Sequence, residues 1–132
     1  MTLVDTNVLL DVLTTDPKWS EWSIIALRDR AARGSLFINE IVYAELAGHI
    51  ATEKDLDDAV QSLRVQFQTI PKRALFYAGR TFRSYRSAGG VRTGVLPDFF
   101  IGAHAQVGRI PLLTRDVGRY RTYFPDVDLI AP

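Results

Sequence analysis

The chain has 132 residues, of which 47% are hydrophobic and 23% are charged, and this length and composition are typical of one globular domain with a substantial core. The lack of cysteine excludes disulfides and thiolate metal sites, and the two histidines argue against a zinc site built from imidazoles. The sequence has no run of about 18 apolar residues and no secretory signal pattern at its N-terminus. We therefore expect a single soluble domain over residues 1–132, located in the cytoplasm, in which oxygen atoms would bind any metal ion.

Short apolar runs alternate with longer amphipathic segments along the chain. In the first half, the pattern predicts strands at residues 2–5 and 36–39 and helices at residues 7–13, 19–34, 40–48 and 53–67. In the second half, it predicts strands at residues 68–70, 110–114 and 128–131 and helices at residues 72–89 and 97–107. Continuously apolar strands separated by helices favour a parallel sheet covered on both faces. The predicted fold class is α/β, a three-layer α/β/α sandwich with a central, mainly parallel sheet.

The small net charge of +1 conceals an uneven distribution. Residues 1–66 contain 6 basic and 11 acidic residues, whereas residues 67–132 contain 10 basic and 4 acidic residues. Residues 72–92 carry six basic residues and no acidic one. This division suits a polyanionic substrate that also needs a cation, but a solvated helix face with charges of one sign explains it equally well.

Four acidic residues are expected near the carboxyl ends of the strands, where open parallel sheets bind ligands. Asp5 ends the first strand, Asp116 follows the strand at residues 110–114, Asp98 opens a helix, and Glu45 lies inside the helix after the second strand. Asp5 and Asp98 also fit helix N-caps, and Asp116 fits an ordinary turn. Glu45 has no such explanation, because it lies about one turn inside its helix, where an isolated acid is costly to bury.

A convergence of these acids would have a chemical consequence. Two unit charges about 4 Å apart repel by about 4 kcal/mol at an effective dielectric constant near 20, so the cluster must bind protons or cations. Oxygen ligands favour Mg²⁺ or Mn²⁺, which can activate a water for attack on a phosphodiester. Two other acids are assigned no such role: Glu40 is expected to stabilise a helix start, and Asp11 is expected to face solvent.

Four segments in this order resemble the PIN-domain ribonucleases: LVDTNVLLDVL, INEIVYAELAG, LPDFFIGAHA and PLLTRD. The resemblance runs from Leu3 to about Tyr120, and the short chain resembles the VapC-type toxins of bacterial toxin–antitoxin pairs. It implies a PIN-like fold and an endoribonuclease that depends on Mg²⁺ or Mn²⁺. It also implies a cognate VapB-type antitoxin that keeps the enzyme inactive, and usually a homodimer.

The resemblance also implies roles for particular residues. It makes Asp5, Glu45, Asp98 and Asp116 the catalytic, metal-binding acids, and it makes Thr6, Asn7 and Thr114 supporting residues that orient the carboxylates or a water. The family varies at the fourth acid, so Asp116 either binds the metal directly or assists. Members differ in RNA choice at the basic helix and at the loop between Gly89 and Leu96, so no particular RNA follows from the resemblance.

Basic residues near the predicted cleft are the candidates for contact with RNA phosphates. They are Arg80, Arg83, Arg86, Arg92 and Arg115. The aromatic residues among them, Tyr77, Phe82 and Tyr85, fall at helical spacings, so most of them are expected in the core rather than stacked on bases. On the helix at residues 19–34, Trp19, Trp22 and Ala26 form an apolar stripe with Ile25 beside it. The stripe fits core packing, or alternatively a groove for an antitoxin segment.

Two other functional classes compete with the nuclease. In a phosphatase of the haloacid dehalogenase type or a response-regulator receiver, Asp5 would accept a phosphoryl group. Those sites need a second acid two residues later or a lysine late in the chain, but position 7 is Asn7 and the last lysine is Lys72. In a catalytically silent RNA-binding or regulatory module with the same fold, the carboxylates would act only as caps, and this alternative stays open.

Overall fold

Five short parallel strands form one sheet in the computed structural model, which describes residues 1–92 and 94–132. The strands are β1 (Thr2–Val4), β2 (Leu36–Ile38), β3 (Val65–Phe67), β4 (Leu112–Leu113) and β5 (Leu129–Ile130). Their order across the sheet is β3-β2-β1-β4-β5. The chain order therefore reverses between β1 and β4, and such a switch point opens a crevice at the carboxyl ends of the two strands.

Seven helices accompany these strands in the described residues. They are α1 (Thr6–Leu13), α2 (Ser20–Arg33), α3 (Glu40–Ala47), α4 (Glu53–Ser62), α5 (Lys72–Ser87), α6 (Leu96–Gly108) and α7 (Gly118–Tyr123). Every residue of β1, β2 and β4 is buried. Because successive strand residues point to opposite faces, both faces of the sheet are covered. The predicted α/β fold with a parallel sheet is confirmed. None of the helices in this part of the chain has the length and hydropathy that crossing a bilayer requires.

Two predictions of local structure were wrong. The helix predicted at residues 53–67 ends at Ser62, and the third strand is Val65–Phe67 rather than residues 68–70. Arg64 explains both differences, because its φ of 57° is left-handed, which stops the helix and turns the chain into the strand. The third difference is α7, which the sequence pattern did not predict.

The aromatic residues of α5 were expected mostly in the core, and Tyr77, Phe82 and Tyr85 are partly buried against it. The ring centroids of Phe82 and Tyr85 lie 5.7 and 5.6 Å from that of Phe99, a fully buried residue of α6. The ring of Tyr77 lies 6.0 Å from that of Phe124, next to α7. These contacts join α5, α6 and α7 into one side of the core, and α6 and α7 both reach the carboxyl edge of the sheet.

The contact between Gly102 of α6 and the buried ring of Phe124 leads to a stability prediction. A Cβ atom at Gly102 would lie 2.4 Å from Cδ2 of Phe124. We expect Gly102→Ala to lower the free energy of unfolding by about 1–3 kcal/mol, because the ring must move. Gly79 of α5 is the matched control, since a methyl group there would meet open space and Gly79→Ala should stabilise the helix by up to about 1 kcal/mol. Urea denaturation measures both, and equal stability of the two variants would contradict the prediction.

Candidate active site

Asp5 lies directly after the central strand, at the switch point of the sheet, and is 4% exposed. It is the N-cap of α1, because its Oδ1 accepts a hydrogen bond of 2.8 Å from the backbone N of Thr6. Its Oδ2 accepts hydrogen bonds from Thr114 Oγ1 (2.8 Å) and from the Tyr120 hydroxyl (3.1 Å). The two oxygens thus have different surroundings, so a capping role does not exclude a role in the site.

Among the residues that the structure describes, no basic side chain forms an ion pair with Asp5. Burial raises the pKa of Asp5 to about 6, the hydrogen bond from Thr114 opposes this shift, and the nearby charge of Asp98 raises the pKa further. Burial and the charges of Asp5 and Asp98 also raise the pKa of Tyr120, which keeps its hydroxyl protonated as a donor. The carboxylate of Asp5 is therefore held in a place where a cation would stabilise it.

Glu45 is joined to Asp5 through Thr6. The Thr6 hydroxyl donates a hydrogen bond of 2.7 Å to Glu45 Oε1, while the Thr6 backbone N donates to Asp5. Glu45 is half-buried on α3, where this hydrogen bond gives it the partner that a buried acid requires. Glu40, by contrast, lies in the first turn of α3 and accepts a hydrogen bond from the backbone N of Ile70.

The start of α3 is tied to α6 by two buried side chains. Asn39 caps α3, with its Oδ1 accepting from the backbone N of Ile41 and of Val42 at 3.1 Å. Its Nδ2 lies 3.1 Å from Nδ1 of His104 on α6. Burial lowers the pKa of His104, while the charge of Glu40 opposes this shift, so a neutral imidazole accepts the hydrogen bond from Asn39. The helices that carry Glu45 and Asp98 are thereby fixed relative to each other.

Asp98 lies in the first turn of α6, which begins at Leu96, so Asp98 is not the N-cap of that helix. Arg119 of α7 donates a hydrogen bond to Asp98 Oδ2 and forms an ion pair with it. Burial raises the pKa of Asp98, the guanidinium of Arg119 opposes this shift, and the charge of Asp116 raises the pKa again. Asp98 thus lies near another acidic side chain, and it is already paired with a cationic side chain of the same chain.

The supporting residues connect the loop after β4 to Asp5. Thr114 is fully buried, and Asn7 Nδ2 lies 3.3 Å from both Thr114 Oγ1 and Asp5 Oδ2. Asn7 Oδ1 accepts a hydrogen bond of 3.1 Å from the backbone N of Arg115. Asp116 is exposed in the loop before α7, and its backbone N donates to Thr114 Oγ1. Asp116 therefore lies at the rim of the site, whereas Asp5 lies at its centre.

The acids share one edge of the sheet but are not assembled around a single point. Within residues 1–92 and 94–132, no three acidic or imidazole side chains lie close enough to hold a metal ion as they stand. The donors nevertheless fit a hard divalent cation, because they are all oxygen atoms and because Mg²⁺ is commonly bound by one or two carboxylates together with water. Asp5 and Asp98, whose charges interact, are the candidates for such a pair.

Two contacts of the site did not follow from the sequence pattern: the hydrogen bond from Tyr120 to Asp5, and the pairing of Asp98 with Arg119, which the sequence placed only among the basic residues at the cleft rim. Both come from α7. The spacing of Val117, Tyr120 and Phe124 is compatible with one helical face, and this was the available signal. Six residues are too few for such a pattern to be distinguished from a loop.

The prediction that Asp11 faces solvent was wrong. Asp11 is 2% exposed, and its two carboxylate oxygens accept hydrogen bonds from Nε (2.6 Å) and Nη2 (2.9 Å) of Arg115. Ser23 Oγ also donates to Asp11, at 2.7 Å, and the guanidinium of Arg115 lies 5.1 Å from the ring centroid of Trp19. A bidentate ion pair across 104 residues offsets part of the cost of burying the acid. Arg115, a candidate for RNA contact, is therefore engaged with Asp11.

The other candidate arginines are exposed. Arg80, Arg83 and Arg86 lie along α5, with Arg92 after it. The guanidinium of Arg80 lies 4.9 Å from the ring centroid of the exposed Phe76. Part of the loop expected to influence RNA choice, residue 93, lies outside the described residues.

The apolar stripe of α2 divides between core and surface. Trp22 and Ala26 pack against the core, whereas Ile25 is 59% exposed. On a different side of α2 a groove opens, lined mainly by apolar side chains that include Val12, Leu27 and Leu63. Core packing therefore accounts for part of the stripe, and an apolar surface remains beside it.

The PIN domain family model matches residues 2–125. The chain therefore belongs to the PIN domain family, as its resemblance suggested. PIN-domain toxins are generally nucleases. No curated protein matches the chain significantly in sequence.

Solved structures with the same fold come from several bacteria. VapBC2 from Rickettsia felis, bound to a DNA fragment from its promoter, has a TM-score of 0.75 and 18% identity, covering 98% of this chain and 97% of that one. VapBC-1 from nontypeable Haemophilus influenzae has a TM-score of 0.72 and 19% identity, covering 98% and 96%. A toxin–antitoxin complex from Klebsiella pneumoniae has a TM-score of 0.62 and 20% identity, covering 96% and 95%. At these identities the similarity establishes the shared fold.

Proposed function

We propose that this protein is an endoribonuclease that depends on Mg²⁺ or Mn²⁺ and acts as the toxin of a toxin–antitoxin pair. The observation that carries the proposal is the surroundings of Asp5, a buried carboxylate that is linked through Thr6 to Glu45 and lies near Asp98. A purely structural cap would not need further acids beside it. Membership of a family whose toxins are generally nucleases supports the same conclusion.

The residues of this site would have distinct roles in the reaction. Asp5, Glu45 and Asp98 would hold the cation, with Asp116 binding or assisting from the rim. A bound divalent cation would lower the pKa of an attacking water and stabilise the charge that develops on the departing oxygen. Thr114, Asn7 and Tyr120 hold Asp5 in one orientation, and Thr6 does the same for Glu45. A second carboxylate near the cation also provides a base for the proton of the attacking water.

RNA would be held by the basic half of the chain. Arg80, Arg83, Arg86 and Arg92 are exposed and free of acidic neighbours in sequence, so their guanidinium groups are available for phosphate oxygens. Phosphate contacts of this kind fix a strand without reading its bases. The chain therefore provides a basic surface for RNA phosphates, and these phosphate contacts alone do not select a particular RNA.

The direct test uses the purified protein, freed of any partner, and one long RNA alongside a single-stranded DNA of the same sequence. We expect cleavage of the RNA with Mg²⁺ or Mn²⁺ and none with EDTA. Cleavage in EDTA would contradict the proposed cation requirement. RNA binding without cleavage in either cation would contradict the nuclease and support the silent binding module instead.

The similarity to a toxin–antitoxin complex supports a protein partner as well. We propose that a VapB-type antitoxin places an apolar segment in the groove lined by Val12, Leu27 and Leu63, next to α1 and α2.

We also propose that the chain forms a homodimer. Sedimentation of the purified toxin measures its oligomeric state, and a monomer at micromolar concentration would contradict the second proposal.

A further inference from the structure

Arg119 is a basic side chain inside an acidic site. Its guanidinium contacts Asp98, and the two side chains are 23% and 25% exposed, so both are partly accessible to solvent. In the part of the chain that the structure describes, no other basic side chain forms an ion pair with any of the four acids. The adjacent Tyr120 donates to Asp5, so α7 contacts two of the four acids with consecutive residues.

The contact has two consequences once a cation enters the site. The same oxygen of Asp98 cannot bind Arg119 and a divalent cation equally well at once, because the guanidinium and the cation are both positive and would repel each other at contact distance. The cation and the guanidinium therefore compete for Asp98. A guanidinium displaced from Asp98 remains anchored to α7 beside the acids, where its planar group of N–H donors matches the oxygens of a phosphate.

We propose that Arg119 binds the phosphate at the position of cleavage. Before a divalent cation binds, Asp98 keeps the guanidinium of Arg119 in an ion pair, and the cation then replaces the guanidinium at Asp98. This inference rests on the proposed cation-dependent nuclease. Arg115 does not provide the same group, because Asp11 already occupies its guanidinium. The arginines of α5 are exposed on a helix surface, whereas Arg119 contacts an acid of the site directly.

The competition for Asp98 is testable without RNA. Mn²⁺ binding is measured by electron paramagnetic resonance for the unaltered protein, for Arg119→Gln, and for Arg121→Gln. Arg121 is an exposed residue of the same helix, and its replacement makes the same change in net charge. We expect Arg119→Gln to bind Mn²⁺ about tenfold more tightly and Arg121→Gln to change binding by less than about twofold. Equal affinities for Arg119→Gln and the unaltered protein would overturn the proposal.

A thermal measurement separates this competition from a general effect of charge. In EDTA, Arg119→Gln should lower the melting temperature, because Asp98 loses its partner. The same substitution made in an Asp98→Asn protein should have little effect, since the pair is already broken. An equal loss of melting temperature in both backgrounds would show that Arg119 does not act through Asp98 and would overturn the proposal.

Inorganic phosphate is the probe for the second half of the inference. By isothermal titration calorimetry, we expect the Mg²⁺-loaded protein and Arg121→Gln to bind phosphate, and Arg119→Gln to bind it at least about tenfold more weakly. Equal phosphate binding by all three would overturn the role of Arg119 at the phosphate. If the unaltered protein bound Mn²⁺ and phosphate as expected but cleaved no RNA, the proposed function would fail while the assignment of Arg119 stood.

Discussion

Replacing Asp5 with asparagine is expected to have opposite effects on activity and on stability. Cleavage of RNA should fall by roughly 10²–10³-fold or more, because the central acid of the site loses its charge. The helix cap should survive, because asparagine caps a helix about as well as aspartate does. In EDTA the variant should therefore be more stable than the unaltered protein at neutral pH, with a gain of up to about 3 kcal/mol.

The stability gain should depend on pH in a defined direction. The folded protein keeps the proton of Asp5 up to about pH 6, whereas the unfolded chain loses it near the ordinary value of 3.8. The stabilisation that this proton provides is fully present below 3.8 and is lost as the pH rises through about 6. The advantage of Asp5→Asn should thus be near zero at about pH 4 and reach its full size above about pH 7.

The comparison is made between urea denaturation curves of the two proteins at each pH. His104 acts in the opposite sense, because a lowered pKa reduces stability as the pH falls below 6.5, but it is present in both proteins and cancels. Asp126→Asn, a change at an exposed acid far along the chain, is the control. A loss of stability in Asp5→Asn at every pH would indicate that the charged cap outweighs the repulsion, and full RNA cleavage would remove Asp5 from the site.

Replacing Asp11 with alanine should destabilise the protein by about 3 kcal/mol, because Arg115 is then left without its partner in a partly buried position. The exposed pair of Arg33 and Asp29 is the matched control, and Asp29→Ala should cost no more than about 0.5 kcal/mol. Both values come from urea denaturation at neutral pH. Combining Asp11→Ala with Arg115→Met should recover part of the loss. A cost for Asp11→Ala as small as that for Asp29→Ala would mean that the buried ion pair contributes little.

The sequence predicted the fold because its strands are continuously apolar and its helices are amphipathic, and these patterns depend on local chemistry. It also predicted which acids reach the carboxyl edge, since Asp5 and Asp116 follow strands directly. Glu45 was separable from Glu40 because only one of them had a local structural explanation. These predictions needed no knowledge of distant contacts.

The remaining features depend on contacts that local patterns do not encode. Asp11 finds Arg115 across 104 residues, and no spacing in the sequence pairs them. The left-handed Arg64 ended a helix whose apolar spacing otherwise continued to Phe67, a residue that is 50% exposed. Helix α7 is too short for a periodic signal, so the contacts of Tyr120 with Asp5 and of Arg119 with Asp98 follow only from the tertiary structure.

The strands that position the site are two or three residues long, so few backbone hydrogen bonds hold their ends. Amide side chains replace them, with the buried Asn39 ordering the start of α3 and the partly buried Asn7 ordering the loop after β4. A genetic selection for loss of activity would therefore return two kinds of survivor. Changes at Asp98 would leave cells with normal amounts of an inert protein, whereas changes at Asn39 would remove the protein through degradation.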